Sequence, residues 1–535
     1  MNRRAFLQQA TAVTLTTALS ACTRGDKTMT NLHEITLHDL QNAMSAGHIS
    51  AREVVAHYLA QIEAIDRNGP TLNSVIEINL DAMSIAQALD EERAQSGPRS
   101  PLHGIPILLK DNIDTADTLH TTAGSLALIG SRPTQDATVA QKLREAGAII
   151  LGKTNLSEWA NFRSIRSASG WSGRGGQTRN PYVLDRNPCG SSSGSGVAIA
   201  ANLAAAALGT ETDGSIVCPA HQNGIVGLKP TVGLTSRAGV IPIAHSQDTV
   251  GPMTRTVADA ALLLGFLTGV DARDGATAVS TPHALTDYTP YLDPNGLKGA
   301  RIGIVRDGYT ELEAELAHVI ETSIAAMQQA GAIIVDPADI PTMQAMRDDR
   351  ESEFEVLLYE FKADIADYLA TRVADERYEQ ERTIPRTLAD LIAYNLANAE
   401  AEMPHFGQEI FELAQAKGPL TEEAYLTALA TSQRLGGRDG IDAVMDAYQL
   451  DALIAPTGGP AWQTNYETGD KGHIGSSSPA ARVGYPLITV PAGFVGALPV
   501  GLTFMGRAYS EPTLIRLAYA FEQATQARRA PQFLS

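Results

Sequence analysis

The chain has 535 residues, 44% hydrophobic and 19% charged, which gives apolar side chain for a large core and excludes a mainly disordered or fibrous protein. Asp and Glu number 60 against 41 Lys and Arg, and a net charge of −19 with no basic stripe argues against a nucleic-acid partner. Three cysteines are too few for a disulfide scaffold or a cysteine-based zinc cluster, and beyond residue 30 no apolar run approaches the ~18 residues that span a bilayer.

Met1 to Cys22 reads as an address, to be set aside before fold reasoning. Arg3-Arg4-Ala5-Phe6-Leu7 resembles a twin-arginine export signal, and Leu19-Ser20-Ala21-Cys22 resembles a bacterial lipobox in which Cys22 is acylated. The expectation is a periplasmic protein, attached to a membrane only through a lipid on Cys22. From Thr36 to about Glu92 the spacing of Leu37, Leu40, Met44, Val54, Tyr58 and Ile62 is helical, giving a helical segment over residues 33–100. Gly97 to Pro101 is a break. Ile105 to Leu109 reads as a buried strand entering Lys110, followed by a helix around Asp136 to Ala146 and a strand Ala148 to Leu151. Val197 to Ala207 reads as a strong helix. A helix from about Glu311 leads into a strand at Ala330 to Ile334. Residues 340–447 are charged and helical, an elaboration rather than a separate domain, and strands resume at Ala452 to Pro456 and Pro486 to Phe494. The alternation predicts an α/β fold over residues 101–535, built on one large mixed β-sheet covered by helices on both faces.

The residues suited to chemistry lie between 104 and 230. Two Gly/Ser-rich stretches, Ser167 to Gly176 and Cys189 to Gly196, flank Asn180-Pro181. The second opens onto a helix, where backbone N–H groups and the dipole favour an anion, but no Lys-Ser/Thr pair closes it as in a nucleotide loop. In Gly209 to Ile216, Gly214 allows a tight turn that aims several N–H groups and the Ser215 hydroxyl at one spot. Acyl transfer needs that combination of a nucleophile and oxyanion donors. Lys110, at the end of an apolar strand, loses hydration. Bringing an amine from ~10.4 to about 7–8 requires ~4 kcal/mol of destabilisation of its charged form, and makes it a base. The blander role for Lys110 is an ion pair with Asp111.

Taken together these stretches resemble the amidase signature family. The matching runs are Gly104 to Asp111, Gly190-Ser191-Ser192, Gly209 to Ile216, Gly224 to Thr231, Pro486 to Phe494 and Leu498 to Leu502. The resemblance spans roughly residues 35–530 and implies a catalytic domain that hydrolyses carboxamides, releasing ammonia. No Cys/His arrangement has metal-ligand spacing and no nucleotide fingerprint appears, so no cofactor or metal is expected. The resemblance also implies a Ser–cis-Ser–Lys triad in which Ser215 is the nucleophile, Ser191 the bridging serine after a cis peptide bond and Lys110 the base. The backbone N–H groups of Thr212, Asp213, Gly214 and Ser215 are then the oxyanion hole. Cys189, Ser193, Asp213 and Val217 depart from the common pattern. With the run Asn155 to Arg163, these departures resemble the bacterial peptide amidases, which remove the C-terminal amide of peptides. The alternative is a small aliphatic or aryl amide as substrate. Cys189 and Cys218 fall beside the two serines and are expected as small buried thiols, a disulfide being the alternative in an oxidising compartment.

Three rivals remain. Gly190 to Gly194 also fits the Gly-x-Ser-x-Gly elbow with Ser192 as nucleophile and a partner such as His245, but Asp185 to Cys189 cannot form the strand that elbow requires. The related component of tRNA-dependent amidotransferases is disfavoured by the export signal and the acidic charge. A non-catalytic solute-binding lipoprotein has no need of Lys110, Ser191 and Ser215 together.

Overall fold

The computed structural model describes residues 31–309, 312–378, 384–470 and 475–535. The expected export signal and the Cys22 lipobox lie outside the described residues. One sheet of 11 strands organises the chain. In chain order these are β1 (Val75–Ile78), β2 (Pro106–Lys110), β3 (Ile149–Thr154), β4 (Ala206–Glu211), β5 (Val226–Lys229), β6 (Thr249–Thr254), β7 (Arg301–Ile304), β8 (Ile333–Val335), β9 (Ala452–Pro456), β10 (Leu487–Val495) and β11 (Leu498–Met505). Their order across the sheet is β1-β3-β2-β4-β6-β5-β10-β11-β9-β7-β8. β2 runs parallel to β3 and β4, β7 runs parallel to β8 and β9, and the remaining neighbours are antiparallel. The sheet is mixed, as expected.

Strand alternation shows why both faces carry helices. In β9, Ala452 and Ile454 join one core with helices Val257–Leu267, Ala314–Gln329 and Glu511–Thr525. Leu453 and Ala455 join a second core on the other face, with Val444 and Met445. Successive side chains point to opposite faces, so a strand apolar at every position is buried on both.

Two sequence expectations are corrected. The helical reading of Thr36 to Glu92 is interrupted by β1, a Val-Ile-Glu-Ile run that pairs antiparallel with β3 at the sheet edge. Gly69-Pro70 stops the preceding helix, and β-branched residues then favour the pleat. The alanine-rich run predicts a helix through Ala207, but the helix is Ser193–Ala200. Asn202 takes a left-handed φ of 59°, and Ala206 and Ala207 enter β4 opposite Ile107 and Leu108. Tertiary pairing overrides the helix propensity of alanine there.

Candidate active site

Parallel strands β2 and β4 end at the same edge of the sheet, the side on which open α/β sheets hold their ligands. Lys110 is the last residue of β2 and is fully buried. Its Nζ donates to Ser191 Oγ at 2.8 Å and to Thr210 Oγ1 and O at 2.8 and 3.1 Å. Asp111 does not pair with it; that carboxylate accepts from Arg174, Thr122 and Gly124. Burial pushes the Lys110 amine down from 10.5 to about 7, against the opposing pull of Asp248 and Glu211.

Ser191 sits in the turn that opens helix Ser193–Ala200, after a cis Gly190–Ser191 peptide bond. The turn is fastened to β4 by Ser192, whose Oγ accepts from Thr210 N at 3.2 Å and donates to Thr210 O at 3.1 Å. A Cβ on Gly190 would lie 2.0 Å from Ser157 Oγ, so the close approach requires glycine.

Beyond β4 the chain turns at Gly214, whose φ of 82° suits glycine, and Ser215 follows with 8% of its surface exposed. Buried Glu211 Oε2 accepts from Ile216 N and Val217 N at 2.7 and 2.9 Å, orienting the start of helix Val217–Gln222. None of the backbone N–H groups of Asp213, Gly214 and Ser215 donates to an acceptor among the described residues. The Thr212 hydroxyl donates to Asp248 at 2.5 Å, and the Asp213 carboxylate accepts from Ser477 and from Ser478, the latter at 2.6 Å. Ser192 N donates to Ser215 O at 3.1 Å, joining the two serine turns through their backbones. The Ser215 and Ser191 hydroxyls form no hydrogen bond with each other among the described residues.

Ser215 and Gly214 line a cavity of about 630 Å³, the size of pockets that enclose small ligands. Asn161, Ser169 and Asp470 give it a polar side. Phe354 and Ile410, from the helical elaboration, and Ile165, 68% exposed at the rim, give it an apolar one. The Amidase family profile matches residues 53–515. The chain belongs to the amidase family.

It is 43% identical over 513 residues to a probable amidase of Arabidopsis thaliana, covering 94% of this chain and 93% of that one. With a crystal structure of the peptide amidase from Stenotrophomonas maltophilia it shares 51% identity and a TM-score of 0.87, covering 94% and 99%. With a glutamyl-tRNA(Gln) amidotransferase component from Chloroflexus aurantiacus the identity is 36%, covering 93% and 98%. This amidase is therefore a hydrolase of amide C–N bonds, similar to bacterial peptide amidases.

One expectation for the amidase's cysteines is corrected: Cys189 and Cys218 form a disulfide, with Cα atoms 5.9 Å apart, rather than two thiols. The turns carrying Ser191 and Ser215 bring them together. The elbow reading finds no support: Ser192 Oγ bonds Thr210, and among the described residues no hydrogen bond joins it to His245, whose Nδ1 lies 2.9 Å from Asp364. His245, Glu360 and Asp364 place three ligand-type atoms within 4.8 Å of one another. Glu360 already accepts from Ser246 N and the Tyr425 hydroxyl, and Asp364 from His245 N.

The sequence reading of this amidase missed Thr210, Glu211 and Asp248. Glu211 stands inside the Gly209 to Ile216 run, and a carboxylate between apolar β4 and a Gly-Ser turn was a usable signal. Asp248 carried none locally, because its contact with Thr212 depends on strand register. The run Asn155 to Arg163 entered only through resemblance. In the structure Arg163 and Glu158 are a fully buried pair at 3.1 Å, and Arg163 stacks 4.6 Å over Phe406.

Proposed function

We propose that this amidase hydrolyses the C-terminal carboxamide of peptides, with Ser215 as nucleophile, Ser191 as proton bridge and Lys110 as base. The observation that carries the reading is Lys110: a buried amine, brought to about 7, that touches the Ser191 hydroxyl and no carboxylate. Near neutral pH about half of it is the free base. It takes the proton of Ser191, which takes that of Ser215 as the Ser215 oxygen attacks the amide carbon. The relay needs the Ser215–Ser191 contact to close when substrate fills the cavity, and catalytic hydrogen bonds commonly tighten only in the complex.

The N–H groups of Thr212, Asp213, Gly214 and Ser215 would receive the oxyanion; those of Asp213, Gly214 and Ser215 have no other acceptor among the described residues. The Lys110 ammonium then returns its proton through Ser191 to the departing ammonia. Water attacks the resulting ester by the same relay, releasing a peptide with a free carboxylate. A cofactor has no step in this cycle. The similarity to the Stenotrophomonas peptide amidase, the departures at Cys189, Asp213 and Val217, and the roomy cavity support a peptide over a small aliphatic amide. The acidic charge disfavours tRNA as partner.

The test is to compare kcat/KM for acetamide-sized amides with that for amidated di- and tripeptides, following ammonia. Binding energy from the remote residues should raise it at least about tenfold, equivalent to ~1.4 kcal/mol in the transition state. Equal turnover of acetamide would leave amide hydrolysis standing and remove the peptide reading. Export and lipid attachment at Cys22 remain a proposal from sequence; a Cys22→Ser protein that keeps the wild-type mass and membrane partition would refute it.

A further inference from the structure

The sheet register places Asp248 opposite the end of β4. Glu211 pairs with Thr249, so Asp248, one residue before β6, faces Thr212, one residue after β4. Thr210 and Thr212 are two positions apart, and their hydroxyls serve the two opposite charges. Thr210 Oγ1 accepts from Lys110, and Thr212 Oγ1 donates to Asp248 Oδ1. Asp248 Oδ2 accepts from Ile243 N and Ala244 N at 2.8 and 3.0 Å, so the carboxylate is held from both sides. Asp248 also borders a second cavity of about 360 Å³ with Arg237, His245, Asp274 and Asp364. Of these, Arg237 is engaged by Asp274 and His245 by Asp364. Glu211 and Asp248 are the carboxylates whose charge reaches Lys110.

We propose that Asp248 is a positioning residue for the hydrolysis: it holds Thr212 at the start of the anion-receiving turn and, when ionised, places a negative charge one strand away from Lys110. Burial pushes its own carboxyl up to about 6, just below the lysine. This rests on the Ser215–Ser191–Lys110 reading above. Thr212 ties the start of the turn to Asp248, as the Asp213 carboxylate ties its middle to Ser477 and Ser478, while among the described residues the N–H groups of Asp213, Gly214 and Ser215 donate to no acceptor. A carboxylate that merely capped the Ile243-Ala244 backbone would affect folding but leave kcat unchanged when the Thr212 hydroxyl is removed.

The experiment measures kcat and KM with an amidated dipeptide across the pH range for Asp248→Asn, Thr212→Val, Thr212→Ser and Lys110→Met. Asp248→Asn removes a negative charge near Lys110, which makes the ammonium less stable, so the acid limb of kcat/KM should move down by about half to one pH unit. Thr212→Val should lose on the order of tenfold in kcat with KM within about twofold, and Thr212→Ser should restore it. An unmoved acid limb in folded Asp248→Asn, or a Thr212→Val enzyme with wild-type kcat, overturns the proposal. If Asp248→Asn does not fold, the Thr212 pair decides: loss rescued by serine supports the proposal, and no loss or no rescue overturns it. Lys110→Met separates the two levels. If it is inactive, the base reading survives a failure of Asp248; if it still turns over, the reading beneath both is wrong.

Discussion

Replacing Lys110 by methionine separates the two consequences of burying an amine. An unfolded lysine binds its proton at any pH below 10.5, whereas the folded one binds it only below about 7. At ~1.4 kcal/mol per pH unit the difference amounts to about 5 kcal/mol. Because the folded value is depressed, this destabilisation is complete below about pH 7, about 4 kcal/mol at pH 7, and fades as pH rises toward 10.5. Methionine removes it at similar volume, but leaves the Ser191 hydroxyl without that donor and Thr210 O and Oγ1 each with one donor fewer, at about 1–3 kcal/mol in all. Lys110→Met should therefore be more stable than wild type at pH 7 by about 1–3 kcal/mol, and no more stable, or less, near pH 10. Calorimetric melting of both proteins at the two pH values reads this as a rise of a few degrees in Tm at pH 7 that vanishes or reverses at high pH. A variant with the same offset from wild type at both pH values would show that Lys110 is not kept uncharged by burial, and the base assignment would lose its physical ground.

Gly190→Ala should reduce kcat on the order of a hundredfold or more with a smaller change in KM, since the new Cβ meets Ser157 Oγ at 2.0 Å and must displace Ser191; steady-state kinetics on the folded variant decide it. Reducing the Cys189–Cys218 bridge, or replacing both cysteines by serine, should cost about 3–4 kcal/mol by the loop-closure model for a separation of 29 residues, seen as a lower denaturation midpoint with reductant. Arg163→Met removes the cation beside Glu158, whose carboxyl burial pushes up to about 8 and so leaves mostly protonated at pH 7; a loss of about 1–3 kcal/mol from the broken hydrogen bonds is expected in chemical denaturation there, growing above pH 8, and a loss equal at pH 6 and pH 9 would show that this carboxyl does not titrate in that range.

What could be read locally was read well. Ile105 to Leu109, Ala148 to Leu151 and Ala452 to Pro456 are short apolar runs between breaks, and each is a central strand within a residue or a few of its expected limits. Lys110, Ser191 and Ser215 also stood out locally, a lysine closing an apolar strand and two serines in glycine turns, and the structure brings Lys110 and Ser191 into contact. The failures were set by partners far along the chain. Ala206 and Ala207 form strand because Ile107 and Leu108 offer a ladder, a fact absent from their own propensities. Asp248 meets Thr212 only through the pairing of β4 with β6, and the disulfide depends on two turns 29 residues apart meeting at one sheet edge.

The central claim is that the Ser215 oxygen attacks a peptide's terminal carboxamide. Mixing the protein with an amidated dipeptide, quenching early and measuring both ammonia and the intact protein mass tests it directly. The account predicts ammonia release by the wild type, an acyl adduct on the peptide containing Ser215, and neither signal from Ser215→Ala. Ammonia release by Ser215→Ala at the wild-type rate would contradict it.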